Sequence, residues 1–117
     1  MDKLDMYGNI IKKILTQYYE MIAAQTHLAS EILASNRLAF DEIRNEYLWF
    51  SCGWDGKKRI NHITMYLRVK DGKIWVEEDS TDLCVVDDLL AAGIPKNDIV
   101  LGFQHPSKRA LTEFATV

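Results

Sequence analysis

Asn61-His62-Ile63-Thr64-Met65-Tyr66-Leu67-Arg68-Val69-Lys70 runs into Asp71-Gly72 and then Lys73-Ile74-Trp75-Val76. Apolar and polar side chains alternate from residue 61 to residue 70. Ile63, Met65, Leu67 and Val69 take one face of an extended strand, and His62, Thr64, Tyr66, Arg68 and Lys70 take the other. Asp71-Gly72 is a hairpin signal, because a two-residue turn needs the positive φ that glycine adopts freely. That turn predicts Arg68 opposite Trp75 and Leu67 opposite Val76. A slip by one residue would exchange the two faces, so the alternation anchors the register.

Upstream, Tyr47-Leu48-Trp49-Phe50-Ser51-Cys52-Gly53-Trp54 is rich in aromatics and reads as a strand, and Asp55-Gly56 is a second hairpin signal. A two-residue loop at Gly56-Lys57 predicts Thr64 opposite Trp49 and Tyr66 opposite Tyr47. Arg37 to Glu42 alternates weakly and reads as another strand, with Ile43 to Glu46 as its turn. The expected sheet is an antiparallel meander of about four strands. Its aliphatic face carries Phe50, Met65, Leu67 and Val76. Its aromatic and polar face carries Tyr47, Trp49, Tyr66, Trp75, Arg68 and His62.

Leu4, Tyr7, Ile11, Ile14, Tyr18 and Met21 recur at alternating steps of three and four, widened by Ile10, Leu15 and Ile22. This spacing predicts a long amphipathic helix over residues 3–24 that packs on the sheet, with Asp2 and Asp5 at the positive end of its dipole. Residues 25–36 read either as an extension of that helix past a break, through Ala29, Ile32 and Leu33, or as a loop with one helical turn. Thr81 or Ser80 is expected to cap a second helix with Asp82 in its first turn and Leu83, Val86, Leu89 and Leu90 as its stripe. Gly93 stands where a left-handed residue ends such a helix, Ile94 can close back on the stripe, and Pro95 blocks continuation. Ile99-Val100-Leu101 reads as a short strand or buried extended segment. The tail reads as one helical turn near Ser107 to Phe114. The fold class is α+β: a long N-terminal helix on an antiparallel meander, a second helix and a short C-terminal extended segment in one domain.

Composition sets bounds on function. The 117 residues suit a single domain, and a 48% hydrophobic content is enough to build a core. A net charge of −3 argues against a protein that neutralises many phosphates unaided. Cys52 and Cys84 sit in apolar runs without a C-x-x-C spacing and read as buried free thiols of a reducing compartment. No apolar run approaches the ~20 residues that span a bilayer. Met1 to Asp5 has charges where a signal peptide has apolar residues, so a cytoplasmic location is expected.

Five ordered stretches resemble the XisI-like family, the excision controlling factors of cyanobacterial DNA-element rearrangement. They are Tyr7…Ile11-x-x-Ile14-Leu15-x-x-Tyr18; Gly53-Trp54-Asp55 followed by Lys58-Arg59-Ile60; Asp71-Gly72-Lys73-Ile74-Trp75-Val76; Ala92-Gly93-Ile94-Pro95 through Phe103; and Pro106-x-Lys108-Arg109-x-x-Thr112-x-Phe114-Ala115. Two positions depart from the pattern. Ser80 stands where glycine is common, and Gln104-His105 stands where a histidine usually follows Gly-Phe directly. The resemblance implies an accessory factor that works beside a separate recombinase, commonly with a XisH-type protein as partner.

The candidate sites follow from these readings. Trp49, Tyr66, Arg68 and Trp75 on the aromatic face, with His105, Lys108 and Arg109 near the C-terminus, are candidates for partner binding, because aromatics and arginine dominate interface hot spots. Arg68 is placed to stack on Trp75. Lys57, Lys58 and Arg59 at a hairpin turn are candidates for nucleic-acid contact, joined by Lys108 and Arg109 if the two clusters share a side. His27, His62 and His105 have no ligand spacing with each other or with the cysteines, so no metal or other cofactor is expected. The acidic run Glu77-Glu78-Asp79 with Asp82, Asp87 and Asp88 reads as a solvated strand end and helix face. Gly102-Phe103-Gln104-His105-Pro106 reads as a fixed bend, with Phe103 buried and the backbone close to a neighbour. There is no serine or tyrosine recombinase constellation. The expected function is a non-enzymatic controlling factor in site-specific excision of a DNA element, acting through protein–protein binding. The alternative is a homodimer that contacts DNA directly with its basic residues.

Overall fold

A computed structural model describes residues 2–25 and 30–117. Helix α1 (Lys3–Ala23) stands where its periodicity placed it. The Asp2 carboxylate accepts the Asp5 backbone N–H at 2.9 Å and caps its first turn. Tyr7, Ile11, Ile14, Leu15 and Tyr18 are buried, while Leu4 and Met21 at the two ends of the stripe stay exposed. The ambiguous stretch contains one short helix, α2 (Ser30–Ser35), which leads directly into β1 (Asn36–Asp41). His27 and Ala29 lie outside the described residues.

Strands β2 (Glu46–Asp55), β3 (Lys58–Lys70) and β4 (Lys73–Asp79) continue from β1 as the expected antiparallel meander. A fifth strand, β5 (Ile99–Leu101), joins β4 in parallel with Ile74 opposite Ile99, and makes the sheet mixed. Parallel neighbours need a crossover connection. Here it is helix α3 (Val85–Ala91) followed by a 3₁₀ turn (Lys96–Asp98).

The β3–β4 hairpin has the expected register, with Arg68 opposite Trp75 and Leu67 opposite Val76. Asp71 and Gly72 both have positive φ, 54° and 74°, as a type I′ turn demands. The β2–β3 hairpin keeps the expected register only from Asp55↔Lys58 to Phe50↔Ile63. Between Trp49 and Phe50 the register shifts, and Trp49 then pairs with Met65 and Tyr47 with Leu67. Thr64 is the extra residue of a β-bulge, and the expected pairs Thr64–Trp49 and Tyr66–Tyr47 do not form. The bulge rotates Tyr47 and Trp49 onto the aliphatic face and turns Phe50, paired with Ile63, to the other. The expected division of the two faces is corrected at these three residues and, beyond the bulge, at Ile63, which is 45% exposed, and His62, which pairs with Ser51 on the face of Trp49.

Helix α3 starts at Val85, later than the expected cap at Ser80 or Thr81. The capping carboxylate is Asp79, which accepts from the Thr81 N–H at 3.0 Å, the Thr81 hydroxyl at 2.7 Å and the Val85 N–H at 3.0 Å. The other end is as expected. Gly93 has φ +94°, its N–H reaches the Leu90 carbonyl at 3.0 Å, and the Ile94 N–H reaches the Leu89 carbonyl at 3.2 Å. These two bonds form a Schellman motif, and Ile94 and Leu89 are both buried.

The core lies between the helices and one face of the sheet, with Ile11, Leu15, Met65, Leu67, Ile74, Leu89 and Ile99 fully buried. Two tyrosines bind its rim. Tyr7 donates to the Asp98 carboxylate and Tyr18 to the Asp88 carboxylate. Burial and the Asp98 hydrogen bond push the Tyr7 phenol up to about 12. The thiols are not both buried as expected: Cys84 is exposed and Cys52 is half-buried. Cys84 has a left-handed backbone ahead of α3, which turns it out of the stripe.

Candidate functional site

The sheet face away from α1 holds most of the candidate residues. Arg68 and Lys70 lie two apart on β3 and so share a face, with Trp75 opposite Arg68. The Trp75 indole has cations around it. The Arg68 guanidinium lies 5.3 Å from the ring centroid, the Lys70 ammonium 5.1 Å and the Arg109 guanidinium 5.2 Å. A cation within ~6 Å of an aromatic centroid is attracted by its quadrupole. Glu77 is the counter-charge, with Oε2 at 2.6 Å from Arg68 Nε. Beside them, Tyr66 donates to Glu46. Burial and that bond raise the Tyr66 phenol to about 12.

Arg109 is the clasp of this region. It is buried, and it donates from Nε to the Gln104 carbonyl at 3.0 Å, from Nη1 to that of Thr116 at 3.4 Å and from Nη2 to that of Gly102 at 3.4 Å. It ties the 102–104 bend, helix α4 (Pro106–Arg109) and the tail to the face of Trp75. The bend has the expected close approach: a Cβ at Gly102 would collide with the Glu77 carboxylate. Phe103, expected to be buried, is 50% exposed. His105 caps α4, its Nδ1 accepting the Ser107 N–H at 3.2 Å. Trp75 is buried, and its Nε1 has no hydrogen-bond partner among the described residues.

The candidate residues thus separate into three places. Tyr66, Arg68, Trp75 and Arg109 come together, with His105 and Lys108 on the adjoining helix. Trp49 does not belong with them. It is 3% exposed on the opposite face, donates from Nε1 to Asn36 Oδ1 at 3.1 Å, and lies against Tyr18. Lys57, Lys58 and Arg59 stand at the tip of the β2–β3 arm, where all are exposed. Lys58 and Arg68 are ten residues apart on β3, about 30 Å at the strand rise. The two basic clusters therefore do not form one patch. Arg59 instead covers Trp54, 5.1 Å from its centroid. Lys70 was not singled out from the sequence, and Glu77 was read there as part of a solvated acidic run rather than as the partner of Arg68. The spacing of two from Arg68 already placed Lys70 beside the indole, whereas Glu77 reaches Arg68 through a register shift in β4.

The acidic run is divided among separate tasks. Glu77 pairs with Arg68, Asp79 caps α3 and Asp88 accepts from Tyr18. Among the described residues no three His, Cys, Asp or Glu side chains are grouped to hold a metal ion. No helix among them is long and apolar enough to cross a membrane.

Fold and surface define an α+β domain with a helix-covered core face and a cationic, aromatic opposite face. The family model described as XisI protein matches residues 1–116, and the chain belongs to that family. Among solved structures it is similar to the fdxN element excision controlling factor XisI from Anabaena variabilis ATCC 29413. That similarity has 52% identity and a TM-score of 0.83, and covers 99% of this chain and 100% of the other. It is also similar to a XisI-like protein from the same organism, with 34% identity and a TM-score of 0.87 over 97% and 99% of the two chains. A comparison with proteins of curated function finds no match.

Proposed function

We propose that this chain is a non-enzymatic controlling factor in the excision of a DNA element and acts by binding a protein partner of the XisH type. The observation that carries the reading is the 52% identity to the Anabaena controlling factor across nearly the whole of both chains. The surface around Trp75 suits a binding role. Arg68, Lys70 and Arg109 gather around the indole there, with Glu77 and Glu46 as counter-charges to Arg68, and the exposed Lys108 adds to the cations. An acidic segment of the partner would meet these cations over an apolar floor, the composition of an interface hot spot. A direct DNA contact would rest on Lys57, Lys58 and Arg59 alone.

Capture of a XisH-type protein by the tagged chain tests both parts. Wild type is expected to retain the partner. Lys70→Glu combined with Lys108→Glu is expected to weaken capture about tenfold, since like charges set against each other across an interface are costly. Lys58→Glu on the distant arm is expected to leave it unchanged. No capture by wild type overturns the partner, and full capture by the double variant overturns the surface.

A further inference from the structure

The two edges of the sheet are treated differently. At the β5 edge, Val100 bridges to Ala115 and the Ala115 N–H donates to the Ile99 carbonyl at 2.9 Å, so the tail seals it. At the other edge, β1 pairs only with β2, and no other backbone bond from residues 36–41 occurs among the described residues. Natural edge strands are usually blunted by lysine, proline or a bulge. The strand Asn36-Arg37-Leu38-Ala39-Phe40-Asp41 contains neither residue, and its ladder to β2 is regular.

Its sequence is also symmetric in charge. Arg37 and Asp41 stand two positions either side of Ala39, as do Leu38 and Phe40 one position either side. We infer that β1 pairs antiparallel with β1 of a second copy of this chain, about a two-fold axis at Ala39, and so continues the sheet across the dimer. In that register Arg37 of each copy lies opposite Asp41 of the other, Leu38 lies opposite Phe40, and the small Ala39 meets itself. Directly opposed unlike charges stabilise a strand pair and like charges destabilise it. Asp41 has room for the added contact. Its Oδ1 accepts the Ile43 and Arg44 N–H groups, each at 3.0 Å, and its Oδ2 accepts Arg44 Nη1 at 3.2 Å. A carboxylate offers about four acceptor positions, which leaves one on Oδ2. The interface is separate from the Trp75 surface, so it stands or falls independently of the partner reading.

Sedimentation equilibrium on the full chain tests this, with circular dichroism to confirm folding. Wild type is expected at twice the 13.5 kDa chain mass. Arg37→Glu alone and Asp41→Lys alone each set like charges opposite one another twice, and each is expected to raise the dissociation constant at least about tenfold. Mixing the two variants brings every reversed residue against an opposite charge, so a heterodimer is expected to return. Asp41→Lys also removes a turn contact. If it does not fold, Ala39→Glu replaces it, placing two carboxylates together on the axis and dissociating the dimer. A monomeric wild type overturns the inference. So does a dimer indifferent to Arg37→Glu, or a mixture of folded charge variants that stays monomeric.

Discussion

Asp98 joins the first turns of α1 to the turn before β5. It accepts from the Tyr7 hydroxyl and pairs with Lys3 Nζ at 2.8 Å. Burial alone would raise this carboxyl, but the bonds from Lys3 and Tyr7 outweigh it and hold it below its ordinary value of 3.8. A carboxyl lowered by folding stabilises above its unfolded pKa, and that stability is lost as pH falls through the folded value. Tyr7 acts at the other limit. Raised from 10.0 to about 12, its contribution is complete below pH 10 and fades as pH climbs to 12. The melting temperature should therefore be level through neutral pH and fall at both ends. Asp98→Asn is expected to cost about 1–2 kcal/mol near pH 7, roughly 3–8 °C, and to shallow the acid limb. Thermal melts from pH 2.5 to 11 check this, and an unaltered acid limb in Asp98→Asn would count against the assignment. The periodicity identified Tyr7 and Tyr18 as members of the buried stripe. Their partners, 91 and 70 residues away, were not legible, since nothing local encodes which carboxylate a buried hydroxyl will reach.

At the level of the strand, β2 carries two tryptophans with opposite surroundings. Trp49 is 3% exposed and Trp54 is 52% exposed. Local chemistry made much of this ribbon readable: Asp71-Gly72 set one turn, and Asp55-Gly56 set the start of the other. The bulge at Thr64 was not readable, because a bulge depends on what each strand must bury and that is decided by α1. A straight ladder would have put Trp49 on the face of Tyr66. With the bulge, its ring packs near Tyr18 and its Nε1 finds Asn36. Trp49→Ala is therefore expected to cost about 3–5 kcal/mol through the lost burial and the cavity left behind. Trp54→Ala, which gives up only an exposed ring and its contact with Arg59, is expected to cost under about 1 kcal/mol. Urea denaturation of both variants gives the comparison. Equal midpoints would contradict the rotated face.

Across the whole molecule, the meander and its covering helix were legible in the sequence, but the parallel entry of β5 and its sealing by the tail were not. Ile99-Val100-Leu101 is too short to carry a pattern, and Ala115 has no strand signal of its own. The seal is held at two points, the bond from Ala115 to Ile99 and the Arg109 clasp on the Thr116 carbonyl. Removal of residues 112–117 deletes both and uncovers the outer edge of β5. The shortened chain then has two open edges of unlike sequence, β1 and β5. Pairing of β1 with itself closes a dimer, whereas pairing of β5 with any other edge gives a contact that continues from copy to copy. The expected result is a lower melting temperature and, in sedimentation velocity, species larger than a dimer that grow with concentration. Arg37→Glu in the shortened chain should weaken the β1 contacts and reduce these species. If the shortened chain sediments and melts as the full chain does, the tail does not seal the edge, and the asymmetry between the two sides of the sheet has no bearing on assembly.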